Sequence, residues 1–211
     1  MQIRNNQRCI IVGPTGSGKS VLAREILNDR PNVVIVDPKN DWKPDGDERE
    51  AKNLGQLKKA FNDSRKDNKR IIYRVPREHL LPQNAGELDE VARMALQRKN
   101  TLLYYDELVF VASGSDFMQR APNYYFAVTT GRSQNVGVFA CVQRPRWVPL
   151  ISLTESDVRI AFYLRSKEDR DRMNSVMGDG VPWETLREER FAFVAASDLE
   201  LSQPTRLKGD F

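Results

Sequence analysis

Histidine and cysteine are scarce in this sequence, which contains one histidine and two cysteines in 211 residues. Cys9 and Cys141 both fall in apolar runs that we predict to be buried strands, which indicates core packing rather than a disulfide or a metal pair. His79 lies in a loop flanked by prolines, and we assign it no metal or catalytic role. The pattern therefore disfavours functions that depend on clusters of histidine or cysteine.

Long hydrophobic runs are also missing. No apolar run approaches the roughly 20 residues that a membrane-spanning helix needs. The first residues lack the apolar stretch of a signal peptide. We therefore expect a cytosolic protein without a transmembrane segment.

The size and the charge set looser bounds. A chain of 211 residues fits one α/β domain, and we predict a single domain over 1–211 with its core at about 8–195 and a polar, partly disordered tail at 197–211. The excess of 33 Lys and Arg over 29 Asp and Glu gives a net charge of +4. This balance permits a polyanionic partner without establishing one.

A glycine-rich turn follows the apolar run 9–12 and precedes an amphipathic segment. It matches the phosphate-binding pattern G-x-x-x-x-G-K-S/T, in which glycines allow backbone N–H groups to point at phosphate oxygens. We expect its three glycines to take conformations closed to other residues, while Lys19 faces the β- and γ-phosphates and Ser20 holds Mg²⁺. ATP and Mg²⁺ are thus the predicted cofactors. The predicted nucleotide-binding residues are Gly13, Pro14, Thr15, Gly16, Ser17, Gly18, Lys19 and Ser20.

Strand and helix patterns alternate along the rest of the chain, which predicts an α/β fold with a mainly parallel sheet. Helical stripes are clearest at 54–61, 87–98 and 167–177, while 38–50 reads as a polar loop. The predicted strands after the first are 33–37, 71–75, 101–107, 135–145, 158–164 and 191–194.

Two carboxylates end the predicted strand 101–107 and form a second candidate motif after the glycine-rich turn. The run 101–105 leads directly into Asp106 and Glu107. A phosphate-binding loop alone does not hydrolyse NTP, which also needs a carboxylate that supports the metal and a base that activates water. A pair of carboxylates downstream of the loop can supply both. We predict that Asp106 supports Mg²⁺ and that Glu107 accepts a proton from the attacking water. The alternative is a strand end that merely turns into solvent.

A polar triplet, Gln143-Arg144-Pro145, ends the following strand. If the tip of this strand faces the nucleotide, Gln143 can hydrogen-bond the γ-phosphate or the attacking water. The alternative is an ordinary glutamine at a strand end.

Together, these motifs resemble the FtsK-HerA superfamily of DNA-translocating ATPases. The most selective part is Gly131-Arg132-Ser133, leading through a strand to Gln143-Arg144-Pro145. The resemblance implies a three-layer α/β/α, RecA-like sheet in which the Gln143 strand lies between the phosphate-loop strand and the Asp106 strand. It also implies that Gln143 senses the γ-phosphate and that Arg132 is an arginine finger acting on a neighbouring subunit, with Arg144 and Arg146 as alternatives.

A bare motor domain of this size is similar to the genome-packaging ATPases of icosahedral viruses with an internal membrane. That similarity implies a ring, usually a hexamer, around double-stranded DNA, a capsid or portal-vertex partner, and a location in the host cytoplasm or at the packaging vertex of the virion. The alternatives are a related motor in phage morphogenesis, conjugation or plasmid transfer, a small-molecule kinase, and a nucleotide-dependent switch. Glu107 argues against the kinase, which needs a lid and an acceptor site rather than a catalytic glutamate.

Overall fold

Apolar and amphipathic runs of the chain become strands and helices in the structure, a computed structural model. It describes residues 3–28, 30–46, 48–81, 84–198 and 200–207, apart from the side chains of residues 65 and 85. The strands are β1 (Arg8–Val12), β2 (Val33–Asp37), β3 (Glu48–Ala51), β4 (Arg70–Arg74), β5 (Thr101–Tyr105), β6 (Val136–Val142), β7 (Val158–Phe162), β8 (Ala192–Ser197), β9 (Glu200–Leu201) and β10 (Thr205–Arg206). The helices are α1 (Lys19–Leu27), α2 (Leu54–Asp67), α3 (Ala85–Arg98), α4 (Phe117–Arg120), α5 (Pro122–Thr130), α6 (Leu150–Thr154), α7 (Lys167–Met177) and α8 (Trp183–Glu188).

The strands of the described residues form one ten-stranded sheet in the order β10-β8-β7-β1-β6-β5-β2-β4-β3, with β9 paired to β8. The pairs from β7 to β3 along this order are parallel, whereas β8 is antiparallel to β7, β9 and β10. The mainly parallel α/β prediction is confirmed. So is the order implied by the resemblance, because β6 lies between β1 and β5.

Helices cover both faces of the sheet because its central strands are apolar on both sides. In β1, Ile10 and Val12 pack in one core with α2, α3 and α5, while Cys9 and Ile11 pack in the other with α1. This alternation follows the two-residue period of a strand. The architecture is the predicted three-layer α/β/α arrangement, and all the strands from β1 to β6 point their carboxyl ends to one edge.

Polar side chains cap the starts of two of the helices. Asn53 accepts a hydrogen bond of 2.9 Å from the backbone N of Gln56 and caps the start of α2. Asp89 of α3 is buried and accepts from the backbone N of Asn123 and Tyr124, at 3.2 and 2.7 Å, so it caps α5. Burial raises the pKa of Asp89, although these donors act in the opposite direction.

One prediction for the polar segments was wrong. Segment 38–50, predicted as a loop, contains the start of β3, a charged edge strand in which only Ala51 is buried. In the tail, the short strands β9 and β10 pair with β8, and the partial disorder expected for 197–211 stays a prediction. An edge strand leaves most of its side chains at least partly in solvent, so it needs no apolar run. These strands therefore lack the apolar pattern by which strands were predicted. Residues 199 and 208–211 of the tail lie outside the described part.

Within the described ranges, none of the helices combines the length and apolarity needed to cross a bilayer.

Candidate nucleotide-binding and catalytic site

The glycine-rich loop joins the carboxyl end of β1 to the start of α1. The backbone N of Gly13 donates to the carbonyl of Val142 at 3.1 Å, and the backbone N of Ser17 donates to the carbonyl of Pro14 at 3.2 Å. The first bond ties the loop to the end of β6, and the second closes a turn within it. The loop is therefore held beside the tips of the central strands, at the N-terminus of a helix that favours bound anions.

Glycine is needed in this loop for two different reasons. Gly16 and Gly18 have φ of +77° and +99°, in the region that favours glycine. Gly13 does not share that conformation, contrary to the prediction. A Cβ added at Gly13 would meet Ser17 Oγ at 2.5 Å and Phe162 Cβ at 2.9 Å. Glycine is therefore required at position 13 because no larger side chain fits there.

Lys19, the first residue of α1, is almost fully buried, with 5% of its surface exposed. Its Nζ donates to the carbonyl of Pro14 at 2.9 Å, so the side chain folds back over the phosphate loop. Burial lowers the pKa of Lys19, and the nearby carboxylates of Glu107 and Asp106 oppose that shift. The ammonium is thus bonded to the loop, and Asp106 and Glu107 are near enough to oppose the effect of burial on its pKa.

Ser20 and Asp106 meet directly. Ser20 Oγ donates a hydrogen bond of 2.9 Å to Asp106 Oδ1, and Tyr104 Oη donates to the same oxygen at 2.6 Å. Asp106 itself is 1% exposed. A hydroxyl and a carboxylate side by side are hard oxygen ligands of the kind Mg²⁺ prefers, so these residues fit the predicted cation.

Glu107 follows Asp106 and is also buried, at 6% exposure. Its Oε2 has no hydrogen-bond partner within the described residues. Burial raises the pKa of Glu107, while Lys39, Lys19 and the amides of Gln143 act in the opposite direction. A buried, incompletely bonded carboxylate of this kind can accept a proton from a water molecule.

Gln143 lies just past β6 and reaches the phosphate loop. Thr15 Oγ1 donates to Gln143 Oε1 at 3.2 Å. Gln143 lines a cavity of about 550 Å³ with Pro14, Thr15 and residues after β7, and also a smaller cavity of about 220 Å³ with Lys39 and Glu107. It therefore lies between the loop and the carboxylates, as the predicted role requires.

Arg144 and Arg146 lie at the same edge of the sheet. Arg144 Nε donates to Asp169 Oδ2 at 2.6 Å, and its guanidinium carbon lies 5.1 Å from the centre of the Trp147 ring. The backbone N of Arg146 donates to the other oxygen of Asp169 at 3.2 Å. The buried Asp169 thus fixes the segment after Gln143, and Arg144 lines both cavities of its own subunit.

Arg132 lies elsewhere. It precedes β6, at the opposite edge of the sheet from the phosphate loop, and its side chain is 58% exposed. Its Nη1 lies 3.9 Å from Asp157 Oδ1, which mainly binds Arg8. Arg132 is therefore not brought to its own subunit's site.

Sequence reasoning missed two contributors to this site. Tyr104 was read only as part of an apolar strand, although its two-residue spacing from Asp106 puts both side chains on one face. Asp169, noted only as part of a helix that fits the resemblance, is buried and pairs with Arg144, 25 positions away in the chain. No local pattern signals the second pair.

Neither a family model nor a curated protein matches this sequence. Solved structures match its fold. The genome-packaging NTPase B204 of Sulfolobus turreted icosahedral virus 2, in complex with AMPPCP, is similar with a TM-score of 0.75 at 15% identity, covering 97% of this chain and 100% of that chain. VirB4 of Thermoanaerobacter pseudethanolicus gives 0.72 at 9% identity, covering 96% and 90%.

The pCW3 conjugation coupling protein TcpA gives a TM-score of 0.55 at 15% identity, covering 94% of this chain and 60% of that chain. At such identities the likeness concerns the fold. The fold prediction is confirmed at that level: this chain has the RecA-like α/β/α fold that these structural neighbours share.

Proposed function

We propose that this chain is an ATPase that couples hydrolysis of ATP to translocation of double-stranded DNA, in the manner of a viral genome-packaging motor. The observation that carries the proposal is the convergence of three distant motifs at one edge of the sheet. Ser20 is bonded to Asp106 at 2.9 Å, and Thr15 is bonded to Gln143 at 3.2 Å, with Glu107 between them. An isolated phosphate loop would not need the buried Glu107.

In this proposal each side chain has one task. The loop from Gly13 to Ser20 binds the triphosphate through its backbone N–H groups, and Lys19 turns from Pro14 to the phosphates. Glu107 accepts the proton of the attacking water, and Gln143 orients that water or contacts the γ-phosphate.

Ser20 and Asp106 would hold Mg²⁺. When bound there, the cation would neutralise charge that develops on the phosphates.

Subunits of the proposed motor form a ring, a hexamer by the family resemblance, around the duplex. Arg132 fits a role across the subunit boundary, because it is exposed and far from its own phosphate loop. B204, whose fold this chain shares, is a genome-packaging NTPase, which supports a capsid or portal-vertex partner and work in the host cytoplasm or at the virion's packaging vertex. Negative-stain images of the chain with AMPPCP test the ring.

A conjugative or plasmid-transfer motor is the second candidate. It is favoured by the structural similarity to VirB4 and to the conjugation coupling protein TcpA. Both candidates would couple ATP hydrolysis to movement of DNA, and their partners would distinguish them. A packaging motor would bind a capsid or portal vertex, whereas a conjugative motor would bind components of a DNA-transfer system.

ATP hydrolysis with and without duplex DNA tests the proposal. We expect hydrolysis to rise when duplex of any sequence is added, and the rise to shrink as salt increases, because backbone binding releases counterions. Phosphate transfer to a small molecule would favour a kinase. Hydrolysis that no DNA changes at low salt would contradict the translocase.

A further inference from the structure

Lys39 contacts both carboxylates of the proposed site. Its Nζ lies 3.2 Å from Asp106 Oδ2, as a hydrogen-bonded ion pair, and 3.8 Å from Glu107 Oε2. Lys39 is therefore an ammonium paired with two buried carboxylates.

The loop that carries Lys39 is anchored on both sides. Asp37, fully buried at the end of β2, accepts a hydrogen bond of 3.1 Å from the backbone N of Trp42 and also binds the guanidinium of Arg74. Trp42 is buried against Tyr104, with ring centres 5.3 Å apart. Lys39 thus projects from a turn that is held on both sides by buried contacts.

Every oxygen of Asp106 already has a partner. Oδ1 accepts from Ser20 and from Tyr104, and Oδ2 accepts from Lys39. Oδ2 keeps one further lone pair, but a divalent cation that approaches it meets the positive charge of the Lys39 ammonium, which lies 3.2 Å from the same oxygen.

Lys39 is the donor that can leave at least cost. Tyr104 is fully buried, and its hydroxyl also contacts Cys141 Sγ at 3.3 Å. Ser20 is fixed in the first turn of α1 and is itself a ligand for the cation. The side chain of Lys39 is 35% exposed and has a flexible four-carbon stem.

We propose that Lys39 is an internal counter-cation of the Asp106–Glu107 pair, and that a divalent cation displaces its ammonium from Asp106. Lys39 then keeps its contact with Glu107, so arrival of the metal moves a positive charge from the metal-binding carboxylate towards the proposed base. Lys39 acts through these carboxylates and is a positioning residue. This inference rests on the proposed function for its setting, but its test needs neither ATP nor DNA.

Binding of Mn²⁺ alone, followed by the loss of the free-ion signal in electron paramagnetic resonance, tests the inference on the full chain. A charge within a few ångströms changes the cation affinity of a carboxylate by roughly tenfold or more. We therefore expect Lys39→Gln and Lys39→Thr to bind Mn²⁺ at least about tenfold more tightly than the parent chain. Lys39→Arg, which keeps the charge, should bind as weakly as the parent.

The matched control is Lys43→Gln, which removes one charge from an exposed position in the same loop. It should change the Mn²⁺ affinity by less than about twofold, because exposed charges are screened. Adding Asp106→Asn to Lys39→Gln should abolish the gain. Equal affinities in Lys39→Gln, Lys39→Thr and Lys43→Gln would overturn the inference, as would a gain that survives Asp106→Asn.

The two proposals can fail separately. If the Lys39 variants bind Mn²⁺ more tightly but ATP hydrolysis by the parent chain does not respond to DNA, the counter-cation role of Lys39 is supported and the translocase function is contradicted. If the Lys39 variants bind Mn²⁺ as the parent does while DNA stimulates ATP hydrolysis, only the counter-cation role of Lys39 is contradicted.

Discussion

Ser20 Oγ donates a 2.9 Å hydrogen bond to Asp106 Oδ1, a residue 86 positions further along the chain. Ser20 belongs to the helix after β1, and Asp106 follows β5, two strands away in the sheet. β6 lies between those two strands, and Gln143 at its tip completes the same edge. The parallel arrangement, rather than any local segment, assembles the proposed site.

Loss of Lys19 and loss of the Glu107 charge should have different effects. We expect Lys19→Ala to lose nucleotide binding, because its ammonium is the charge nearest the phosphate loop. Glu107→Gln should keep ATP bound while hydrolysis falls by about 10²-fold or more, since the amide cannot accept the proton. Equilibrium binding of labelled ATP and steady-state hydrolysis measure the two effects.

Lys167→Ala is the control for that pair, because Lys167 is exposed on α7 and binds only Asp171 among the described contacts. It should leave both measurements unchanged. Near-normal hydrolysis by Glu107→Gln would remove Glu107 from the role of base.

Arg132 should act on a neighbouring subunit. Arg132→Ala alone should lower hydrolysis by about 10³-fold, the scale of an arginine finger. Rings that mix Arg132→Ala with Glu107→Gln subunits should recover part of the activity, because some interfaces then pair an intact Glu107 with an intact Arg132. Hydrolysis by rings shown to be mixed is the measurement.

The exposed Arg187 of α8 supplies the control, and Arg187→Ala should be fully active. Absence of recovery in mixed rings would exclude Arg132, and the same mixing with Arg144→Ala or Arg146→Ala would then identify the finger.

Acid should weaken the fold partly through Asp157. Its carboxylate accepts from the backbone N of Arg8 at 2.7 Å and from the guanidinium at 3.0 and 3.1 Å. Burial raises the pKa of Asp157, but the bonds from Arg8 outweigh burial and bring the net pKa below its usual value. Because the folded-state pKa is depressed, this stabilisation is complete above the unfolded pKa of about 4 and is lost as the pH falls through the lower folded value.

Asp157→Asn should therefore lower the free energy of unfolding by about 2 kcal/mol at pH 7 and flatten its decline below about pH 4. Urea unfolding across a pH series measures both effects. Asp171→Asn, which removes an exposed carboxylate from α7, is the control and should leave the curve almost unchanged. If the free energy of unfolding of Asp157→Asn falls with acid as steeply as that of the parent, titration of Asp157 does not contribute to the acid sensitivity of the fold.

Gly137 of β6 should not tolerate a side chain. An added Cβ would overlap the backbone oxygen of Asn5 and lie 2.8 Å from that of Gln7 and 2.9 Å from Leu102 Cδ1. We expect Gly137→Ala to lower the free energy of unfolding by about 1–3 kcal/mol, as overpacking does. Gly86→Ala in α3, where nothing lies within 4 Å of the added Cβ, should be neutral or stabilising by up to about 1 kcal/mol. Urea unfolding measures both variants. Equal midpoints for Gly137→Ala and the parent chain would contradict the prediction and show that the turn containing Asn5 and Gln7 can move aside.

The sequence was most informative where packing is strongest. β2, β5 and β6 were predicted because strands buried on both faces must be apolar throughout. β3 and β10 were missed because an edge strand is defined by its backbone partner, and that partner is distant in the chain. Local periodicity carries no information about such pairing.

The same distinction holds within the candidate site. The phosphate loop and Asp106 were predicted from local motifs, and parallel topology explains why they meet. The contact of Lys39 with Asp106 depends on how Asp37 and Trp42 anchor the intervening turn, which residue types alone do not specify. The roles proposed for the phosphate loop, Asp106, Glu107, Gln143 and Arg132 stay predictions.

Displacement of a triplex-forming oligonucleotide from duplex DNA tests the central claim, movement along DNA driven by ATP, most directly. The parent chain with ATP and Mg²⁺ should displace the oligonucleotide, whereas AMPPCP or Glu107→Gln should not, although the variant still binds ATP and duplex. A parent chain that hydrolyses ATP on the duplex and leaves the triplex intact would contradict the account.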